Sequence, residues 1–432
     1  MASHFDSVDP KVDFVAKEEE ILKWWEDNDI PARYRALNDD KEKKFSFIDG
    51  PITANNAMGV HHAWGRTYKD LFLKFRNMQG YKQRFQNGFD GQGLWIEVEV
   101  EKEMGFKSKR DIEAFGVGKF VEECRKRVDR FAARISEQSK RLGYFMDWDN
   151  SYHTKSSENN YTIWHFLKPC ADKGWIYKGR DVMPWCPRCG TGLSQHEIVT
   201  EGYQDITHDS PYLKFPLIGE GHEGENLLVW TTTPWTLAAN VAAAVNPEYT
   251  YAKVEDRGSI IYFSKSLIET LKKDHVLTED AKVIGEVKGS ELVGLKYQGP
   301  FDELPAQVET IEQHRVLAWD EVGEDEGTGI VHTAPGAGAE DFKLGKEHGL
   351  TPIAPLDQNG IYKEGFGDFT GKSAADVKDL VFDSLKEKGL LVRVNKYTHR
   401  YPVCWRCSTE LVFRLVDEWF INMDEIRPKM EK

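Results

Sequence analysis

Apolar residues that recur three and four positions apart predict the helices of this chain. Such spacing occurs over residues 11–29, from about His62 onward, over residues 117–141 and over residues 157–173. Pro31 is predicted to end the first of these helices, because proline disrupts a helix interior.

Two short extended runs flank the helix that begins near His62. "KFSFIDGP" (44–51) predicts a strand that ends in an Asp-Gly-Pro turn, and "GYKQRFQNGFDGQG" (80–93) predicts a return strand and a glycine-rich turn. A strand, a loop, a helix and a second strand make a βαβ unit. Such a unit implies a parallel sheet with helices on its faces.

After Cys189 the pattern changes to short β-rich runs separated by turns. Examples are "TYAKVE", "SIIYFS" and "AKVIGEV", with helical interruptions near residues 264–273 and 374–388. This pattern predicts a separate β-rich domain over roughly residues 200–400.

The composition is that of an ordinary globular protein. Of 432 residues, 40% are hydrophobic and 30% are charged, and no apolar run is long enough to cross a bilayer. The first residues lack the pattern of a secretory signal, so we predict a cytoplasmic protein without a membrane partner. The net charge of −14 disfavours non-specific coating of nucleic acid, although residues 107–141 are locally basic.

Four of the six cysteines form two Cys-x-x-Cys pairs. They are Cys186 and Cys189 in "CPRC", and Cys404 and Cys407 in "CWRC". Zinc prefers four thiolate or imidazole ligands in a tetrahedral site, and a closed four-thiolate site is structural. The pairs therefore predict one structural Zn²⁺. The alternatives are ordinary reduced thiols in turns, or His196 in place of one cysteine.

Polar residues follow both predicted strands of the βαβ unit. His61 and His62 lie at a helix start, where free backbone N–H groups and the helix dipole favour a phosphate. The residues alone favour plain polar side chains, and because adjacent helical positions point apart, a shared metal site is disfavoured. Asp90, at the end of the return strand, is placed either to hold a cationic amine or to cap its own turn.

Two segments of the β-rich region concentrate polar groups. "WTTTPWTLAAN" contains Thr231, Thr232, Thr233, Thr236 and Asn240. "GTGIVHTAPGAGAEDF" contains His332 and, nine residues later, Asp341. Cross-strand threonine pairing explains the first segment by itself. Taken together, a histidine, an aspartate and hydroxyl groups are a set that can hydrolyse an ester without a metal.

The order of these segments resembles the class I aminoacyl-tRNA synthetases, over nearly the whole chain. The isoleucyl branch is the most similar. The segments that carry the resemblance are "FIDGP", "TYKDLFLKFRNMQGY", "GFDGQGLWIEVEVEKEMG", "LGYFMDWDNSY", "MPWCPRCGTGLSQHE", "WTTTPWTLAAN", "GTGIVHTAPGAGAEDF" and "HRYPVCWRCSTELVFR".

The resemblance implies an α/β fold: the N-terminal half of a Rossmann-type parallel sheet, an inserted β-rich editing domain and a zinc-binding module. It implies activation of L-isoleucine with ATP and Mg²⁺, transfer to tRNA(Ile), hydrolytic editing of valine, and a monomer. The expected organisation is a helical extension (1–43), the first Rossmann half (44–180), a zinc-binding connection (181–202 and 398–412), the editing domain (203–397), and a return toward the second Rossmann half (413–432).

The resemblance also implies roles for particular residues. Pro51 and Asp90 would contact the amino acid, with Asp90 paired to its ammonium group. Residues 59–62 match the signature that handles ATP. The editing pocket would consist of Thr231, Thr232, Thr233, Asn240, His332 and Asp341, with Asp341 holding the substrate amine. The zinc ligands would be Cys186, Cys189, Cys404 and Cys407.

The chain departs from the family pattern in two ways. The signature His-x-Gly-His is here Gly59, Val60, His61 and His62. We hypothesise that this order still binds ATP but tolerates some ATP-site inhibitors less well. The second ATP-handling signature, Lys-Met-Ser-Lys-Ser, does not occur, so we expect an N-terminal fragment that cannot aminoacylate alone. Three alternatives remain: a valyl or leucyl relative, a freestanding editing hydrolase, and a non-catalytic module that binds tRNA or another partner.

Overall fold

The computed structural model describes residues 10–432, so residues 1–9 of the predicted N-terminal extension lie outside it. The chain divides into two compact units, Met1–Gly174 and Trp175–Lys432. Within the described residues, no helix combines the length and the apolar composition that a bilayer crossing needs.

The helices of the first unit agree with the apolar spacing. They are α1 (Phe14–Asp27), α2 (Ile30–Ala36), α3 (Val60–Met78), α4 (Leu94–Met104), α5 (Lys109–Phe115), α6 (Val117–Arg141) and α7 (Ser157–Asp172). The helices predicted over residues 11–29, 117–141 and 157–173 are confirmed as α1, α6 and α7. Pro31 does not end α1; it lies in the first turn of α2, where its missing N–H has no helical partner to lose.

The strands of the first unit form a parallel sheet. They are β1 (Lys44–Ile48), β2 (Ile52–Thr53), β3 (Lys82–Asp90) and β4 (Asp147–His153). Strand β3 pairs in parallel with β1, β2 and β4, so the predicted βαβ unit is confirmed. Because parallel strands end at the same edge, Pro51 and Asp90 both lie at the carboxyl edge of this sheet.

A buried ion pair fixes α3 to the sheet. Arg66, 1% exposed, donates to Asp49 at 2.9 Å, to Asn87 at 2.6 Å and to Ser139 at 2.7 Å. These acceptors follow β1, lie on β3 and lie on α6, respectively. A buried guanidinium is tolerated only when its donors are satisfied, so Arg66 fixes the position of α3, which begins directly after Gly59.

The strands of the second unit are β5 (Ile176–Cys186), β6 (Thr191–Gly192), β7 (Tyr203–Ile218), β8 (Glu225–Trp230), β9 (Ala242–Val245), β10 (Thr250–Asp256), β11 (Ser259–Ser264), β12 (Lys282–Lys288), β13 (Lys296–Tyr297), β14 (Val316–Ala318), β15 (Ile330–Thr333), β16 (Leu391–Pro402) and β17 (Val412–Ile421). Its helices are α8 (Gln195–Glu201), α9 (Ile268–Lys273), α10 (Gly289–Leu292), α11 (Ala339–His348), α12 (Lys378–Glu387) and α13 (Arg427–Met430). The β-rich character predicted for residues 200–400 is confirmed, and α9 and α12 are the predicted helical interruptions.

A large mixed sheet forms the centre of this unit. Its main path is β12-β10-β11-β8-β15-β9-β14, and β7 joins it through β8 while also pairing with β13 and β16. Strands β7 and β16 make a long antiparallel ribbon that ends where Tyr203 pairs with Pro402. Strands β5 and β17 pair antiparallel in a separate three-stranded sheet. The carboxyl ends of β5 and β16 carry the two cysteine pairs.

Candidate functional site

A cavity of about 450 Å³ lies at the end of two parallel strands of the mixed sheet. Trp230, the last residue of β8, pairs with Val331 of β15. The residues that follow each of them, Thr231 and His332, therefore meet at the same edge. The cavity is lined by Thr231, Thr232, Thr233, Thr236, His332 and Asp341, among others.

The threonines do not form a cross-strand ladder. Thr231, Thr232 and Thr233 follow β8 as a loop, and a 3₁₀ helix then runs over Pro234–Ala239. The backbone N–H of Thr233 donates to Thr231 Oγ1 at 3.2 Å, and Thr236 Oγ1 donates to the Thr233 carbonyl at 2.8 Å. These bonds stabilise the loop beside the cavity that the threonines line. The threonines are therefore not explained by pairing across strands.

His332 is a buried, neutral imidazole whose two nitrogens are both hydrogen-bonded. Its Nε2 lies 2.7 Å from Thr236 Oγ1, and its Nδ1 lies 3.1 Å from Asn240 Nδ2. Burial lowers the pKa of His332 to about 4. With both nitrogens engaged, His332 orients neighbouring groups and is not a free general base. Asn240 is fully buried behind it and does not line the cavity.

Asp341 lies in the first turn of α11 and faces the same cavity. Its Oδ2 accepts a hydrogen bond from the Ala334 backbone N–H at 2.7 Å. Burial raises the pKa of Asp341 to about 6, against the effect of that bond. Gly338, which precedes α11, allows this arrangement, because a Cβ there would lie 2.8 Å from Asp341 Oδ2. A desolvated carboxylate of this kind is suited to a cationic ligand group.

The raised pKa predicts that Asp341→Asn stabilises the protein at neutral pH. The folded-state pKa is above the unfolded value of 3.8, so the carboxyl group stabilises the fold below pH 3.8 and that contribution is lost as pH rises through 6. Asparagine can still accept from Ala334 without a charge. We expect a melting temperature about 5 °C higher at pH 7.5 and nearly unchanged at pH 4.5. An equal effect at both pH values would contradict a desolvated carboxylate.

The two cysteine pairs meet in one cluster. The four sulfur atoms of Cys186, Cys189, Cys404 and Cys407 all lie within 4.8 Å of one another. Measured separations are 3.5 Å for Cys186–Cys407, 3.6 Å for Cys189–Cys407 and 4.0 Å for Cys189–Cys404. A tetrahedral ion with Zn–S bonds of about 2.3 Å places its sulfurs about 3.8 Å apart. The spacing therefore fits a four-thiolate metal site, and His196 is not part of the cluster.

The electrostatics of the cluster also fit a cation. Hydrogen bonds with Cys189, Cys404 and Cys407 raise the pKa of the Cys186 thiol, whereas bonds with Cys186, Cys189 and Cys404 lower the pKa of Cys407. Four thiolates this close to one another repel when no cation lies between them. A divalent cation among them would allow all four to ionise.

Residues 59–62, the segment predicted to handle ATP, form the amino end of α3. The Gly59 backbone N–H donates to His62 Nδ1 at 3.2 Å, which leaves His62 Nε2 as the protonated nitrogen. Burial, followed by the neighbouring His61, lowers the pKa of His62. The ring centroids of His61 and His62 are 3.8 Å apart, so the expectation that adjacent histidines point apart is wrong. The His61 ring folds back over Gly59 instead.

Asp90 caps its own turn with one carboxylate oxygen, and among the described residues its second oxygen has no close hydrogen-bond donor. Its Oδ1 accepts from the Gln92 N–H at 3.1 Å and from Thr154 Oγ1 at 3.0 Å. Its Oδ2 has only a long contact of 3.4 Å to Thr53 Oγ1. Turn capping therefore uses one carboxylate oxygen, and Pro51 is exposed at the same edge of the sheet.

Sequence reasoning missed two residues that hold these sites in place. Arg66 looks like an ordinary helix-surface arginine in the sequence, although it is a buried residue of α3. Tyr297 lies on a two-residue strand and contacts Asn240 from 57 residues away. No local pattern predicts either contact, since each depends on long-range packing.

The chain belongs to the family of class I tRNA synthetases (I, L, M and V), which matches residues 20–432. It is 42% identical to an isoleucine–tRNA ligase of Pyrococcus abyssi, covering 99% of this chain and 40% of that protein. It is 40% identical to an isoleucine–tRNA ligase of Methanothermobacter thermautotrophicus, covering 96% of this chain and 38% of that protein. These findings confirm the predicted class and its isoleucyl branch.

The chain spans about 40% of the length of the curated relatives it matches, and the match is to their N-terminal part. A solved structure titled "The crystal structure of GlLeuRS-CP1" is also similar to part of the chain. It shares 16% sequence identity with a TM-score of 0.35, covering 43% of this chain and 98% of that one.

Proposed function

We propose that this chain is the N-terminal portion of an isoleucine–tRNA ligase and that its β-rich region hydrolyses valine wrongly attached to tRNA(Ile). The observation that carries the hydrolytic part is the desolvated Asp341 facing a hydroxyl-lined cavity. The whole protein activates L-isoleucine with ATP and Mg²⁺ and transfers it to tRNA(Ile), as a cytoplasmic monomer.

In the proposed hydrolysis, Asp341 binds the α-ammonium group of the aminoacyl ester. A carboxylate that is shielded from water attracts a cation strongly, and its pKa falls when the cation binds. Hydroxyls of Thr231, Thr232 and Thr233 then hold the ester or the attacking water by hydrogen bonds. Water adds to the ester carbonyl, the bond from carbonyl carbon to the ribose oxygen breaks, and valine and the free tRNA hydroxyl are released.

We further propose roles and boundaries for the rest of the chain. Residues 44–180 are the first half of a Rossmann-type catalytic domain, with Pro51 and Asp90 at the amino acid and residues 59–62 at ATP. The other segments are the helical extension (1–43), the zinc connection (181–202 and 398–412), the editing domain (203–397) and the return segment (413–432). Cys186, Cys189, Cys404 and Cys407 hold a structural Zn²⁺, which fixes both ends of the inserted region at one point.

The proposed hydrolysis is tested by deacylation of purified tRNA(Ile) charged with valine. The chain and its Asp341→Ala variant are compared, with isoleucyl-tRNA(Ile) as the control ester. Because the chain spans only part of its relatives, high concentrations are used to offset weaker tRNA binding. We expect selective release of valine by the unaltered chain and strong loss in the variant. Equal survival of both esters at saturating chain would contradict the proposal.

The Gly59–His61 contact predicts a specific defect in ATP binding. An alanine Cβ at position 59 would lie 2.9 Å from the His61 Cε1 atom, so the ring must move. For Gly59→Ala in the full-length protein, we expect the KM for ATP in ATP–pyrophosphate exchange to rise roughly fivefold. Gly65→Ala is the matched control on α3, since nothing lies within 4 Å of a Cβ there. Equal effects of the two substitutions would refute the contact as the cause.

A further inference from the structure

Tyr297 is a fully buried tyrosine whose hydroxyl reaches the back of the candidate hydrolytic site. It is 1% exposed, and its hydroxyl donates to Asn240 Oδ1 at 2.7 Å. Burial raises the pKa of Tyr297 well above its usual value, so the hydroxyl keeps its proton and remains a donor. Its ring is stacked between Phe215, with centroids 4.9 Å apart, and His314, with centroids 5.3 Å apart. The ring position is therefore fixed independently of the hydroxyl group.

The Asn240 amide, which accepts from the Tyr297 hydroxyl, is also hydrogen-bonded to His332. Asn240 Nδ2 donates to the Ala242 carbonyl at 2.9 Å and lies 3.1 Å from His332 Nδ1. An amide nitrogen only donates, so His332 Nδ1 must be the acceptor. A neutral imidazole then carries its proton on Nε2 and donates it to Thr236 Oγ1.

The chain of hydrogen bonds ends at the threonine loop. Because Thr236 Oγ1 accepts from His332, its own proton is directed to the Thr233 carbonyl, 2.8 Å away. The Tyr297 hydroxyl, the His332 Nε2–H group and the Thr236 hydroxyl thus each have an acceptor in this chain. The Asn240 amide donates to Ala242 and His332 and has a longer contact of 3.4 Å to the Thr333 carbonyl. A different tautomer of His332 would place two donors against each other at Asn240. It would also make Nε2 an acceptor, which would compete with the Thr233 carbonyl for the Thr236 proton.

We propose that Tyr297 is a positioning residue for the hydrolytic site: its hydroxyl orients the Asn240 amide, which selects the His332 tautomer that holds Thr236 and the Thr231–Thr233 loop. The inference rests on the proposed hydrolytic function. Tyr297 itself does not line the cavity. Asp341 takes no part in this chain, so the affinity for the substrate ammonium group does not depend on Tyr297.

The test is Tyr297→Phe in the full chain, because phenylalanine keeps the stacked ring and removes only the hydroxyl. Tyr262→Phe is the matched control: Tyr262 is 3% exposed in the same unit, and its hydroxyl donates to Glu225 at 2.8 Å. Two readouts are measured for each chain. One is the kcat and KM of valyl-tRNA(Ile) hydrolysis, and the other is the ¹⁵N shifts of the His332 ring in histidine-labelled protein, assigned with His332→Gln.

We expect Tyr297→Phe to lower kcat about tenfold with little change in KM, since a buried amide oxygen loses its donor. The His332 nitrogen shifts should move from a single Nε2–H tautomer toward a mixture. Tyr262→Phe should change neither quantity. Unchanged His332 shifts in Tyr297→Phe, or an equal loss of kcat in Tyr262→Phe, would overturn the inference.

The two measurements distinguish failure of the Tyr297 role from failure of the proposed hydrolysis. If the unaltered chain releases no valine, the proposed hydrolysis fails, and a positioning role for that reaction fails with it. The His332 shifts still decide whether Tyr297 sets the tautomer. If valine is released normally by Tyr297→Phe, the hydrolytic proposal stands and the role of Tyr297 is refuted.

Discussion

Cys404→Ser is expected to abolish tight zinc binding and to lower the melting temperature of the protein by roughly 10 °C. Cys404 is fully buried, and the cluster joins the carboxyl end of β5 to the residues that follow β16. Loss of one ligand leaves three sulfurs, two of them buried, that repel one another once ionised. Metal analysis of the purified protein should give about one zinc per unaltered chain and much less in the variant.

Cys170→Ser is the matched control for this experiment. Cys170 is 5% exposed on α7 and is not a member of the four-sulfur cluster. Its substitution should leave the zinc content unchanged, although loss of packing can lower stability slightly. A purified chain that holds no zinc and keeps its melting temperature in a strong chelator would contradict a structural metal at this site.

The periodicity of the sequence predicted those elements whose signal is local. The apolar spacing gave α6 its limits, Val117–Arg141, because a long amphipathic helix repeats one pattern many times. The parallel pairing of β1 and β3 followed from the strand–helix–strand order. The ribbon of β7 and β16 was not predicted, since its partners are nearly 200 residues apart and Pro211 and Pro216 interrupt the pattern of β7.

In the candidate sites, too, contacts that depend on the fold were not predicted from the sequence. The resemblance supplied the residues of the candidate hydrolytic cavity, and their hydrogen bonds came only from the fold. His61 and His62 were expected to diverge, as neighbours in a helix interior do. They occupy the first turn of α3, where no preceding turn restricts the His61 ring, and Gly59 leaves room for it. Helix spacing rules therefore fail at the terminus where this signature lies.

The hydrolysis of valyl-tRNA(Ile) is expected to have a bell-shaped dependence on pH. The kcat/KM value reports ionisations of the free protein and the free substrate. Burial raises the pKa of Asp341 to about 6, so the carboxylate that pairs with the substrate is lost as pH falls through 6. The α-ammonium group of the ester loses its proton near pH 8, which sets the alkaline limb. Between pH 7 and pH 5 the value should fall roughly tenfold.

Asp341→Asn should remove the acidic limb and lower kcat/KM about a hundredfold at pH 7, because the charge-assisted bond to the ammonium group is lost. Glu347→Gln is the matched control, an exposed acid on the same helix α11 that does not line the cavity. It should leave both the rate and the profile unchanged. Spontaneous ester hydrolysis is subtracted at each pH. An acidic limb that persists in Asp341→Asn would assign the pKa near 6 to another group and would remove Asp341 from substrate binding.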